Sequence, residues 1–74
     1  MKNLIHAKAN SHLIFVSANG GRGVMQRLTD MGLIPGEKLM VLHKSGFGPV
    51  TVLIKGAKVA LGDGLAAKII VKEE

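Results

Sequence analysis

Apolar residues recur along this chain in two periods, and the change of period marks its elements. Only Arg22 to Met31 carries a helical spacing: Val24, Leu28 and Met31 fall at i, i+4 and i+7, with Met25 beside them. Gly32 stands at the stop, where glycine takes a left-handed backbone cheaply. With Gly32 at C′, Leu33 is C″ and is expected to pack on Leu28, closing a Schellman motif. Asp30 lies at the wrong end for the helix dipole. Its partner is either Arg27 or a neighbouring loop. Ile34-Pro35-Gly36-Glu37 then fits a type II turn, with Pro35 presetting φ and Gly36 taking positive φ.

The other apolar segments are short and bounded by turn residues, as strands are. His12 to Ser17 is apolar on both faces at Leu13, Ile14, Phe15 and Val16, so its inward register is ambiguous. Lys38 to Lys44 and Val50 to Lys55 form a hairpin around Ser45-Gly46-Phe47-Gly48-Pro49. Gly56 turns the chain into Lys58 to Leu61. Gly62-Asp63-Gly64 breaks that strand, and Asp63 is expected to N-cap one short turn through Ala66. Lys68 to Lys72 is the last strand.

The sum is one domain, residues 1–74, mainly β: a small five-stranded antiparallel SH3-like barrel with one short α-helix plugging an opening. Alternation buries Leu39, Val41, Val52, Ile54, Val59, Leu61, Ile69 and Val71.

Composition narrows the picture. A hydrophobic share of 47% supports a core and argues against disorder. The absence of cysteine removes disulfides and thiolate metal sites. No apolar run approaches the roughly 20 residues of a membrane span, and the first residues lack a signal-peptide core, so a cytoplasmic location without membrane insertion is expected. Formal net charge is +5, from eight lysines, two arginines and five acids. That balance suits an acidic partner or plain solubility.

Catalysis finds little support. Glu73 and Glu74 read as tail residues, and no serine lies in a nucleophile motif. Gly20-Gly21-Arg22-Gly23 lacks the Gly-Lys-Ser/Thr ending of a phosphate loop and reads as a plain turn. The chain is therefore expected not to be an enzyme, with no activity towards GTP. His6, His12 and His43 lie far apart in sequence and make no i, i+4 pair. His12 and His43 are the weak candidates for a transition metal, and no cofactor is expected.

The stronger signal is apolar surface. With Leu39 and Val41 inward, Met40 and Leu42 face outward, and Leu53 joins them across the hairpin. Rimmed by Lys38, Lys44 and Lys55, these residues read as a docking patch for a protein partner. Two structural alternatives compete: the helix covers this face, or two copies of the chain pair through it. The exposed side of the helix around Arg22, Gln26 and Arg27 is the second candidate surface.

The chain also carries a family pattern: Gly20-Gly21-x-Gly23, Arg27-Leu28-x-x-Met31-Gly32-Leu33-x-Pro35-Gly36, Gly48-Pro49, Gly56-x-x-Val59-Ala60-Leu61-Gly62 and Ala66-x-x-Ile69-x-Val71. In this it resembles the FeoA family of bacterial ferrous iron uptake, from about Leu13 to Val71. The segment from Leu28 to Gly36 is the most specific part, and Leu28, Gly32, Leu33, Pro35, Gly36 and Gly56 would be its structural residues. The resemblance implies a cytoplasmic accessory protein, or adaptor, that binds and modulates the cytoplasmic portion of a FeoB-type iron permease. It also brings the transition-metal binding commonly ascribed to the family. Two other readings stand beside it: a small basic barrel binding nucleic acid, which here lacks the aromatic stacking platform, and a metal-sensing module.

Overall fold

In the computed structural model, which describes residues 1–44 and 48–74, the helix stop anticipated at Gly32 is present atom for atom. Helix α1 spans Gly21–Asp30 and is capped by Met31. Gly32 has φ 91°. Leu33 N–H donates to Leu28 C=O at 2.8 Å and Gly32 N–H to Thr29 C=O at 2.9 Å, the two bonds of a Schellman motif. Leu28 and Leu33 are both fully buried in one cluster. Asp30 accepts a hydrogen bond from Gln26 Nε2 at 2.9 Å, so its partner is within the helix itself.

At the other end of α1, Gly20 is a true constraint. It has φ 109°, and a Cβ there would sit 2.6 Å from Val24 Cγ2. Among the described residues no side chain caps this end of the helix.

The type II turn follows as expected, with Glu37 N–H donating to Ile34 C=O at 2.9 Å and Gly36 at φ 94°. It has a second task. Gly36 N–H donates to Phe15 C=O at 2.8 Å, and Phe15 N–H donates to Glu37 C=O at 2.9 Å. The turn is thereby stitched to the first long strand before the next strand begins.

Among the described residues six antiparallel strands, not five, make one sheet: β1 (Lys2–Asn3), β2 (His12–Ala18), β3 (Lys38–Lys44), β4 (Val50–Ile54), β5 (Ala57–Leu61) and β6 (Ile69–Glu73), in the spatial order β1-β6-β2-β3-β4-β5. The strip of sheet is SH3-like but not strictly closed, since β1 and β5 are its two edges. The unexpected strand is β1. It pairs with β6 and leads into a 3-10 turn at Leu4–His6 that buries Leu4 and, just after it, Ala7. Asn3 holds this corner: its Oδ1 accepts from Ile5 N–H at 3.1 Å and its Nδ2 donates to Ala67 C=O.

The core contains Leu13, Phe15, Leu39, Val41, Val50, Val52, Ile54, Leu61, Ile69 and Val71. Val59, expected inside, is only partly buried, packed against the core from the edge strand β5. Two bulges interrupt the alternation. One in β2 falls between Phe15 and Ser17; ahead of it the strand turns Leu13 and Phe15 inward, which resolves the ambiguous register. The other in β3 falls between Val41 and His43. The second short helix, α2, spans Asp63–Ala66, but Gly62 is its cap residue. Asp63 is the first helical residue instead, and its Oδ1 accepts from the Gly64 N–H at 2.8 Å. The expected loop at Ser45 to Pro49 falls largely outside the described residues.

Gly32→Ala is expected to destabilise the protein by about 1 kcal/mol or more, because alanine is strained in a left-handed backbone. Leu28→Ala is expected to cost about 2–5 kcal/mol through the cavity it leaves. Denaturant midpoints of the two variants check both values.

Candidate functional site

The hairpin of β3 and β4 places the expected surface residues by strand alternation. Met40 pairs directly with Leu53, and both are half-buried on the outward face. The row continues on each side: His12 of β2 pairs with Met40, and Lys58 of β5 pairs with Leu53. A line of four strands therefore reads His12, Met40, Leu53, Lys58. A second line beside it joins Lys72, Ile14 and Lys38.

This face forms a shallow groove of about 340 Å³ lined by His12, Lys38, Met40, Leu53, Lys55 and Glu74. No residue of α1 lines it, which removes the alternative that the helix covers the hairpin. Lys38 pairs with Glu74 at 3.4 Å across open solvent, a contact of little energy. Lys55 has φ 52°, one of two non-glycine residues in the left-handed region among the described residues. With Gly56 at φ 81° it makes the two-residue turn between β4 and β5. A Cβ on Gly32 would lie 3.7 Å from Lys55 Cδ, so the lysine stem crosses above the helix stop. A strained lysine at the rim of an apolar groove is a local conflict of the kind found at working surfaces.

Two of the expected patch residues, one of the rim and one apolar, lie elsewhere. The β3 bulge adds a residue at Leu42 and turns Lys44 to the opposite side of the sheet. Lys44 Nζ donates to Ile5 C=O at 2.6 Å and to Ala7 C=O at 2.8 Å. It clamps the N-terminal corner and is no part of the rim. Leu42 is half-buried at the bulge, outside the groove. Sequence reasoning also missed Lys58 and His12 as members of the outward row. Their place follows only from the cross-strand register, which the Lys55-Gly56 turn fixes for Lys58 and the bonds of Gly36 and Glu37 to Phe15 fix for His12.

The three histidines are exposed and separated. His12 faces the groove, His43 pairs with Thr51 beyond the bulge, and His6 ends the 3-10 turn. His12 and His43 are not brought together, and among the described residues no three His, Asp or Glu side chains converge as a metal site. A larger concavity of about 580 Å³ lies beside Ile5, His6, Lys44, Asp63 and Ala67. Arg22, Gln26 and Arg27 are exposed on α1, and among the described residues neither arginine makes an ion pair. No helix is long and apolar enough to cross a membrane among the described residues.

Comparison with known proteins agrees with this fold. Residues 2–73 match the model of the FeoA domain. The chain is similar to the "Putative Fe(2+) transport protein A" of Methanocaldococcus jannaschii, 41% identical over 99% of this chain and 88% of the relative. It superposes on the crystal structure of an iron uptake regulatory protein, FeoA, with a TM-score of 0.91 and 32% identity, over 99% of this chain and 97% of the other. The structure of ScaR with bound Cd2+ shares the fold, with a TM-score of 0.89 and 20% identity. There the whole of this chain corresponds to 35% of the larger protein.

Lys44→Met is expected to destabilise the fold by about 1–3 kcal/mol, because the Ile5 and Ala7 carbonyls lose their donor. Lys55→Asn is expected to raise stability by roughly 0.5 kcal/mol, since asparagine accepts the left-handed turn position more readily. Thermal and denaturant melts of both variants decide whether these lysines differ as described.

Proposed function

This chain belongs to the FeoA family, which is associated with Fe(2+) transport, and from that premise we propose that it acts as a cytoplasmic adaptor of ferrous iron uptake. Its partner is the cytoplasmic portion of a FeoB-type permease. It works by binding one state of that partner more tightly than another, which shifts the population towards the bound state. The nucleotide chemistry belongs to the permease, and the adaptor contributes none.

The observation that carries this reading is the uncovered apolar pair Met40 and Leu53 in a lysine-rimmed groove. Apolar contact supplies affinity there. Met40 is unbranched and adapts to the surface it meets. Lys38, Lys55 and Lys58 steer an acidic partner, mainly through the rate of encounter, and salt weakens that contribution. A transition metal has at most a weak place in this account, through His12 at the groove or His43 beyond it.

The test is capture of the purified permease portion by the chain and by the double variant Met40→Glu, Leu53→Glu. Both positions face outward, so the variant is expected to fold with a melting temperature within a few degrees of the parent. It is also expected to lose capture by at least tenfold. A folded variant that captures its partner at full affinity contradicts the reading and moves attention to Arg22, Gln26 and Arg27. The purified chain is further expected to turn over no GTP. Turnover that co-purifies with it through every step would assign it chemistry that this account denies.

A further inference from the structure

The sheet ends on an edge that the fold leaves open. In the hairpin of β4 and β5, Ile54 and Ala57 close the two-residue turn Lys55-Gly56, and both turn residues have positive φ. That turn makes the closing pair a hydrogen-bonded one, and hydrogen-bonded pairs then alternate along the ladder. Ala57, Val59 and Leu61 therefore direct their N–H and C=O groups to β4. Lys58 and Ala60 direct theirs away from it. Strand β5 has no second neighbour, and neither residue makes a backbone hydrogen bond beyond β4 among the described residues. Two donors and two acceptors, about 7 Å apart along the strand, stand exposed in the spacing that an added strand matches.

We propose that this β5 edge receives an extended partner segment as an added antiparallel or parallel strand, in which acidic residues alternate with β-branched ones. The inference rests on the adaptor reading and names the chemistry of the partner. The side chains specify the pattern. Lys58 ends the outward row His12, Met40, Leu53, Lys58, so a residue opposite Lys58 on the added strand extends that row. An acidic residue there pairs with Lys58. Its neighbours along the added strand point to the other face, where Val59 is only partly buried at the open side of the core. A β-branched residue in that place covers Val59.

Charge decides between the occupants. A second copy of this chain would bring two molecules of net charge +5 together with Lys55 and Lys58 of each at the seam. An acidic segment meets the same lysines with opposite sign. The edge is thus guarded against itself by lysine, a common protection of open strands, and remains open to a segment of complementary charge.

The test uses the full chain, labelled with nitrogen-15, and a short end-capped peptide alternating Val and Glu. Titration is expected to shift the amide signals of Lys58 and Ala60 most, and those of Met40 and Leu53 less. Ala60→Pro removes the outward N–H while leaving the β4 ladder intact, as edge strands tolerate. It is expected to weaken the peptide by roughly tenfold, the effect of a lost hydrogen bond and a blocked approach. Lys58→Glu is expected to weaken it several-fold, and a peptide with alternate backbone nitrogens methylated is expected not to bind. The latter two keep the test decisive if Ala60→Pro fails to fold. Peptide binding that ignores both chain variants overturns the proposal, as does binding of a Val–Lys peptide with equal affinity. Self-association through β5 that Ala60→Pro abolishes also overturns it. If Ala60→Pro folds yet captures the permease portion fully, the edge inference fails while the adaptor reading stands. If the parent chain binds the peptide but no permease portion, the adaptor reading fails and the edge remains.

Discussion

The structure depends on the left-handed stop at Gly32. Its two Schellman bonds bury Leu28 and Leu33 together and send the chain directly into the Pro35-Gly36 turn. Fully burying two leucines is worth about 1.5–3 kcal/mol each, a large share of the stability of a chain this small. The turn then bonds both backbone groups of Phe15, through Gly36 N–H and Glu37 C=O. That fixes where β3 begins against β2. A slip of one residue there would exchange every inward and outward side chain of β3. The outward row of His12, Met40, Leu53 and Lys58 is thus a remote consequence of how one helix ends.

Stability and the proposed docking draw on different sides of the same strands. Leu39, Val41, Val52 and Ile54 build the core from the inner face. Met40 and Leu53 occupy the alternate positions, where the fold does not need apolar residues. Lys55 sharpens the contrast. Asparagine or glycine suits its left-handed turn position better, yet lysine is there, with its stem over Gly32 at the border of the groove. Lys44 is the opposite case. One bulge converts a lysine that strand alternation assigns to the rim into a structural clamp on the N-terminal corner.

Much of this was legible in the residues. The helix, its stop and the type II turn each have a local chemical signature, and the Met40–Leu53 pair follows from alternation across a short hairpin. What escaped lacks such a signature. Strand β1 is two residues long and shows no period, and Leu4 alone does not announce a buried corner. The bulges at Val16 and Leu42 are invisible in apolar runs, because a run that is apolar on both faces looks the same with an extra residue in it. Val59 was misjudged because alternation describes a strand and not whether a neighbour covers it. Asp63 has the chemistry of a cap, but Gly62 precedes the first helical residue and takes that place.

The central claim is that partner binding uses the outer face of the β3–β4 hairpin and not the helix. The most direct measurement is the map of backbone amide shifts in the labelled chain when the permease's cytoplasmic portion is added. The account predicts a single patch that includes Met40, Leu53, Lys55 and Lys58, with α1 unchanged at Arg22, Gln26 and Arg27. A patch centred on α1, with the hairpin signals unmoved, would contradict it.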